Sequence, residues 1–246
     1  MSFKVPEFQI GEASASNNIR SLGQLGDNFI VIDFEATCGP GITKGKNEII
    51  EWGCAKLDKD FNIISTYQQI VKPQMHPKLT QFCIDLTGIT QKMIDKEGIP
   101  FKESYEQFLK WRGSSTQWGS WGAYDRYQLI QDCKLHNLQY GKLFGNRKHT
   151  NLKQLHQNWY KRKRGAGLKK ALRMCNLSFD GRQHRALTDT KAVAKILNHM
   201  QSKQWSVTYE DLPPDEHKRI MKIRKQDWKE RQQKKRDREN ANNSKG

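Results

Sequence analysis

From Phe29 to Ala36 the chain reads Phe-Ile-Val-Ile-Asp-Phe-Glu-Ala, apolar everywhere except at Asp33 and Glu35. Side chains alternate faces along an extended chain. The two acids therefore project from one side, roughly 6 to 7 Å apart at their α-carbons, and Ile30, Ile32, Phe34 and Ala36 from the other. Phe29 and Val31 make the acid-bearing side apolar at its start, the pattern of a central strand covered on both faces. A loop of three glycines and a proline, Cys38 to Asn47, separates this strand from a second at Glu48 to Leu57. A turn at Asp58-Lys59-Asp60 leads to a third, Ile63 to Val71, stopped by Pro73, so the second and third form a hairpin.

Helical spacing then takes over. It predicts a helix over Lys78 to Leu86, a short one capped by Thr90, and a third built on Phe101, Tyr105, Phe108 and Leu109 that Gly113 ends. Gln117 to Gly122 reads as a short strand delivering Asp125 to the start of the next helix, whose apolar stripe is Leu129, Ile130 and Cys133. Helices from about Thr150 and Gly167 follow, separated by Lys161-Arg162-Lys163-Arg164, and a last one begins near Thr188.

Composition sets the boundaries. Residues 1–27 are polar and read as an arm, 28–212 as the domain, and 213–246 as a basic, helical tail with twice as many Lys and Arg as Asp and Glu. In the tail, Lys234-Lys235-Arg236 reads either as a nuclear signal or as part of a solvated helix. A chain of 246 residues can bury roughly 70 to 75% of its unfolded surface in one domain. The formal net charge of +17 points to a polyanionic partner, nucleic acid ahead of an acidic membrane surface. Five scattered cysteines without a C-x-x-C pair indicate neither a disulfide framework nor a zinc cluster, and hence a reducing compartment. With no run of 18 apolar residues, and none at all in the first 27, the expectation is an intracellular monomer, cytoplasmic and/or nuclear, with no membrane span.

The candidate chemistry begins at Asp33 and Glu35, because two carboxylates closing an apolar strand repel each other and lose hydration unless a cation holds them. The same spacing in Asp95-Lys96-Glu97 and Asp237-Arg238-Glu239 carries no such implication, since those acids lie in polar surroundings. His184 hangs from the loop entering the last helix, and Asp189 falls in that helix's first turn. Asp33, Glu35, Asp125 and Asp189 supply hard oxygen ligands suited to Mg²⁺ or Mn²⁺. Two such ions about 4 Å apart can activate water and stabilise a leaving oxygen in phosphodiester hydrolysis, with His184 as the proton acceptor.

Asp33-Phe34-Glu35-Ala36-Thr37, then Trp121-Gly122-Ala123-Tyr124-Asp125, then His184-Arg185-Ala186-Leu187-Thr188-Asp189 resemble, in order, the three motifs of the DEDDh 3′→5′ exonucleases. Phe82 to Thr90 and the Gly167 to Leu172 helix resemble the Eri or 3′-histone-mRNA exonuclease branch, most of all its Snipper-type members without a SAP domain. The resemblance covers about residues 28 to 200. It implies an α/β, ribonuclease H-like fold, a mixed five-stranded sheet with helices on both faces. It implies one metal on Asp33, Glu35 and Asp189 and another on Asp33 and Asp125. Glu35, Ala36 and Thr37 would receive the terminal 3′-OH, and the segment with Leu86, Thr87 and Ile89 would abut the last base. The implied activity is release of 5′-mononucleotides from the 3′ end of single-stranded or structured RNA, and of DNA. Trp52, Trp118 and Trp121 read as core, and Lys161 to Arg164 as a track for phosphates. Two other readings stay open: an adaptor that binds nucleic acid through the basic surface alone, and a proofreading accessory of a polymerase.

Overall fold

The acid-bearing strand, β1 (Phe29–Ala36), runs through the middle of the sheet because both of its faces are apolar enough to be covered. The computed structural model describes residues 22–43, 45–145 and 149–202, with isolated helical positions at 222, 226, 232, 233 and 236. The basic tail and most of the N-terminal arm expected from the sequence lie outside the described residues. The arm nevertheless joins the fold before residue 28: Leu22 and Leu25 are buried in the core beside Phe29. A polar composition hid two apolar anchors.

After β1 come β2 (Ile49–Leu57) and β3 (Ile63–Lys72), paired antiparallel with each other, β2 also pairing antiparallel with β1. The hairpin turns at Asp58, whose carboxylate accepts from the amides of Asp60 and Asn62. Helices α1 (Gln81–Thr87) and α2 (Gln91–Glu97) follow, each opened by a threonine that accepts from an amide three residues on, Thr80 from Cys83 and Thr90 from Met93. Gly88 closes α1 in the left-handed conformation, φ 72°, that a residue without Cβ adopts at little cost. Then come the two-residue strand β4 (Ile99–Pro100), α3 (Phe101–Arg112), β5 (Trp118–Ser120), α4 (Tyr124–Leu135), α5 (Tyr140–Phe144), β6 (Thr150–Asn151), α6 (Leu152–Trp159), α7 (Leu168–Met174) and α8 (Ala186–Ser202).

The sheet order is β4-β3-β2-β1-β5-β6, with β5 parallel to β1 and to β6, and β4 parallel to β3. A mixed five-stranded sheet with helices on both faces was expected; the sheet has six strands, of which β4 and β6 are two residues each, too short to leave a period in the sequence. On one face Ile30, Ile32 and Phe34 pack against Phe108 of α3, Leu129 of α4 and Phe144 of α5. On the other, Phe29 and Val31 meet Leu152 of α6, Leu172 of α7 and Val193 and Ile196 of α8. Each such side chain, fully buried, contributes about 1.5 to 3 kcal/mol. Trp52 and Trp118 belong to this core, fully buried as expected, Trp52 stacked on Phe108 at 4.9 Å. All five cysteines are reduced thiols. Among the described residues no helix is long and apolar enough to cross a membrane.

The acids Asp33 and Glu35 share the face that α8 covers, and one glycine sets how near α8 can come. Gly53 of β2 lies across from Asp33, and a Cβ there would sit 2.1 Å from the Ala186 carbonyl carbon and 2.3 Å from the Leu187 amide nitrogen. Both are backbone atoms, so no side-chain rotation relieves the clash. Thr190 Oγ1 donates to the Gly53 carbonyl at 2.8 Å and closes the contact. Gly53→Ala should therefore destabilise the fold by about 2 kcal/mol, a typical cost of overpacking, lowering Tm by roughly 4 to 8 °C. A thermal melt within one degree of the parent would show that α8 docks less tightly than this.

Candidate active site

Three elements bring four acids to one end of β1. Asp33 is the partly exposed position of that strand, and Glu35, 9% exposed, follows two residues later on the same face. Since β5 runs parallel to β1, the chain leaving β5 enters α4 beside the same strand end, and Asp125 in the first turn of α4 accepts from the Phe34 amide at 3.1 Å. The Ser120 hydroxyl also bonds Asp125, and Ser120 Oγ lies 2.8 Å from Nε2 of the buried His149. Asp189 sits in the first turn of α8 and is 7% exposed, facing the strand from above. One of its oxygens, Oδ2, accepts from the His184 amide at 3.4 Å, while the buried Oδ1 has no partner among the described residues.

His184 completes the group. Glu35, His184 and Asp189 each offer a ligand atom within 4.8 Å of the others. His184 lies on the loop just before α8, half-buried, with φ at +64°.

Electrostatics in the cleft run one way. Burial, then the charges of Asp125, Asp189, Glu35 and Glu51, push Asp33 well above the usual carboxylate range. Burial followed by the Asp189 charge raises Glu35 to about 8, and burial raises Asp189 to about 7. Asp125 rises to about 6, burial outweighing its bonds to the Phe34 amide and Ser120. Burial, with Arg182 nearby, lowers His184. Acids held so close, one with an orphaned buried oxygen, form a donor set that a hard divalent cation fits: it restores the charge balance and gives Asp189 Oδ1 a partner.

The segments expected to contact substrate divide by burial. Ala36 and Thr37 are buried at the end of β1, and the Thr37 hydroxyl accepts from the Glu48 amide at 2.9 Å. Leu86 is exposed, as a surface abutting a base must be, but Thr87 and Ile89 are fully buried. Thr87 Oγ1 donates to the Cys83 carbonyl and accepts from the Ile89 amide, and Ile89 packs with Ile50, Cys83 and Ile94. Their side chains shape the turn that presents Leu86. Trp121 is partly buried against the core, and its Nε1 donates to the Ala166 carbonyl, tying the end of the basic loop to the start of α4. Within that loop Lys161, Lys163 and Arg164 are exposed, and Arg162 turns in toward Met174 Sδ.

One residue of the site had no motif to mark it. Glu51 of β2 is fully buried opposite Glu35 and ion-paired to Arg185 at 2.7 Å. An acid inside an otherwise apolar strand was the available signal.

Residues 30–197 match the family model described as Exonuclease. The chain belongs to the exonuclease family. The 3'-5' exoribonuclease 1 of Rattus norvegicus is 34% identical over 186 residues, which are 71% of this chain and 53% of that protein. ERI1 exoribonuclease 2 of Homo sapiens is 33% identical over 198 residues, 70% of this chain and 28% of its own length. The nuclease domain of 3′hExo, a DEDDh family member bound to rAMP, aligns with a TM-score of 0.65 at 31% identity, covering 73% of this chain and 94% of that one. These likenesses place the exonuclease domain on the Eri-like DEDDh branch with a ribonuclease H-like fold; they do not single out the Snipper type. The chain spans about half the length of the 3'-5' exoribonuclease 1 relatives it matches.

The raised acids make metal-free stability fall with pH. Carboxyls titrate near 4 when unfolded, and here their folded values are raised, up to about 8 for Glu35. The native state thus holds more protons than the unfolded one between about pH 4 and about pH 8, and stability is lost as pH rises through that window. Asp132, raised to about 7 by burial, adds to the same trend. In chelator, Tm should drop from about pH 5 to about pH 8. Asp125→Asn, which keeps the bond to the Phe34 amide but removes one charge, should show a shallower slope and melt at or above the parent at the upper end. Mg²⁺ at a hundredfold excess over Kd should stabilise the parent by about 2.7 kcal/mol and the variant by less. A parent Tm that climbs with pH in chelator would mean the acids are ionised and compensated without metal.

Proposed function

We propose that this chain is a metal-dependent 3′→5′ exonuclease that hydrolyses RNA, and DNA as well, from the 3′ end and releases 5′-mononucleotides. The observation that carries the reading is the convergence of His184 with Glu35 and Asp189, beside an Asp33 that feels the charges of Asp125, Asp189 and Glu35, inside the segment that matches the exonuclease family. The similar proteins named as 3'-5' exoribonucleases, and the rAMP in the 3′hExo nuclease domain, support RNA as the substrate class.

Asp33, Glu35 and Asp189 would hold one Mg²⁺ or Mn²⁺, and Asp33 with Asp125 a second; bound there, the two ions supply Lewis acidity for the attacking water and the leaving oxygen. Each acid has its own anchor for that task. Asp33 and Glu35 are fixed by the register of β1 on β2, Asp125 by the Phe34 amide and Ser120, and Asp189 by the docking of α8 on Gly53. His184 accepts a proton from water as the water oxygen attacks phosphorus; the bond to the 3′-oxygen of the preceding nucleotide breaks, that oxygen takes a proton from solvent and His184 returns its own to solvent, leaving a new 3′-hydroxyl and a 5′-mononucleotide. Burial suits the imidazole to this, because lowering its pKa keeps it neutral and able to accept near neutral pH. The exposed Lys161, Lys163 and Arg164 would meet the phosphates upstream of the 3′ end. The net charge of +17 and the cysteines kept as thiols fit a monomer working inside the cell, in cytoplasm and/or nucleus.

End-labelled single-stranded RNA, single-stranded DNA and a stem-loop with a 3′ overhang, each incubated with Mg²⁺, test the reading directly: mononucleotides should appear from the 3′ end, and none in chelator. Binding without hydrolysis would leave the adaptor. Asp33→Asn should retain RNA binding but lose well over 100-fold in rate, more than the roughly 10 to 100-fold lost when a residue merely supporting a metal ligand is changed. His184→Ala should cost about 10² to 10⁴ in rate and flatten the acidic limb of the pH profile. An unchanged acidic limb would place the proton acceptor elsewhere.

Replacing Lys161, Lys163 and Arg164 together with Ala should weaken RNA binding and flatten its salt dependence, each lost phosphate contact removing about 0.7 from the log-log slope. With the slope unmoved, the loop would be only a solvated surface.

A further inference from the structure

Glu51 is a fifth acid at the cleft, and its oxygens are committed elsewhere. Oε1 accepts from Arg185 Nη2 at 2.7 Å and from Gln68 Nε2 at 2.7 Å, and Oε2 accepts from the Ala186 amide at 2.9 Å. Arg185 Nε lies 3.1 and 3.2 Å from the two oxygens, so the guanidinium grips the carboxylate with two N–H groups. The fork geometry matters: a planar guanidinium fixes both distance and direction, which an ammonium would not. Glu51 also lies directly across from Glu35 in the β1–β2 register.

What this pair holds is the start of α8 and the residue just before Arg185. Arg185 and Ala186 are bonded to Glu51, and Thr190 to the Gly53 carbonyl, so three residues of one short stretch are tied to β2. His184 is the first residue outside those ties. Its φ of +64° is one that side chains with a Cβ seldom adopt and that persists where the surroundings impose it. Its ligand atom lies within 4.8 Å of those of Glu35 and Asp189.

We propose that Glu51 and Arg185 are a positioning pair for the reaction: the bidentate contact sets His184 over the β1 acids, and it withholds Glu51 from the metals. The inference rests on His184 being the proton acceptor. A metal site without this contact would have one ligand too many on β2 and a base free to swing. With it, the register that places Glu35 also places His184, because both are read from Glu51.

The test uses the full-length protein. Glu51→Gln removes the charge at constant shape, and Arg185→Lys keeps the charge but loses the fork; Arg185 is partly exposed, which makes the second variant tolerant of folding. Each should lower kcat on single-stranded RNA at saturating Mg²⁺ by about 10 to 100-fold, with KM within about threefold because the phosphate contacts are untouched. The double variant should cost no more than either single one, since the two groups act as a unit. In ¹⁵N–¹H spectra of the histidine rings, assigned with His184→Ala, the His184 signals should move in both variants. The Mg²⁺ stoichiometry by calorimetry should be that of the parent. A kcat within twofold of the parent in both variants, unmoved His184 signals, or a loss that tracks the unfolded fraction in thermal melts would reduce the pair to structural support. A missing Mg²⁺ site in Glu51→Gln would make Glu51 a ligand. Either result overturns the proposal. If the parent itself leaves RNA intact, the exonuclease reading falls, and the ring signals still decide whether the pair places His184.

Discussion

Mutual repulsion among carboxylates that cannot leave is the constraint on which the rest of this structure depends. Asp33 and Glu35 are two residues apart on a strand paired on both sides, and Asp125 and Asp189 are each delivered by a helix docked on that strand. None can relax away without breaking a ladder or undocking a helix. Proton uptake is the available response: burial pushes all four carboxyls upward, and neighbouring acid charges add to it at Asp33, Glu35 and Asp189. A divalent cation would answer the same crowding with the protons gone, so the feature that weakens the fold is the one that suits the cleft to metal.

Rigidity around the cleft is bought from elements far from the chemistry. The loop after β1 is fastened by the Glu48 carboxylate, which accepts from the amides of Gln74, Met75 and His76, and by Asn47, whose carbonyl accepts from Gln128 and Gln131 of α4. Asp132 of α4 accepts from the Ile49 amide at the start of β2. The loop, α4 and β2 are thereby joined around the end of β1, where a stray backbone would otherwise let Asp125 drift. Gly53 does the corresponding work for α8 by leaving no side chain between β2 and the Ala186–Leu187 backbone.

Much of this was legible in the residues. The period-two alternation of β1 named its two acids and its two covered faces; Thr90 and Gly113 marked the helix boundaries at which they now stand. The five candidate site residues could be paired with one another because each lies at the edge of an element with a strong local signal, a strand end or a helix start. Failures came where tertiary contacts decide. The burial within residues 86–89 left no period in the sequence: the turn at Gly88 folds Thr87 and Ile89 into the Ile50–Cys83–Ile94 cluster and leaves Leu86 outside. Leu22 and Leu25 looked like part of a polar arm, since two apolar residues make no period. Strands β4 and β6 are two residues each and are recognisable through their pairing alone.

Burial by itself does not tell a structural acid from a site acid in this protein; the supply of donors does. Glu48, Glu51 and Asp132 are as deeply buried as any acid of the cleft. Glu48 meets three backbone amides, Glu51 an arginine, a glutamine and an amide, and Asp132 an amide and the Gln128 side chain. Such acids are finished within the protein and have nothing to offer a ligand. Asp189 keeps a buried oxygen without a partner among the described residues, and Asp33 is surrounded by like charges that all push it the same way. Asp125 falls between the two kinds, with one oxygen on the Phe34 amide and a pKa still raised. Glu51 can stand directly across from Glu35 with its own oxygens filled, because Gln68 reaches it from β3 and Arg185 and the Ala186 amide reach it from the two residues that follow His184.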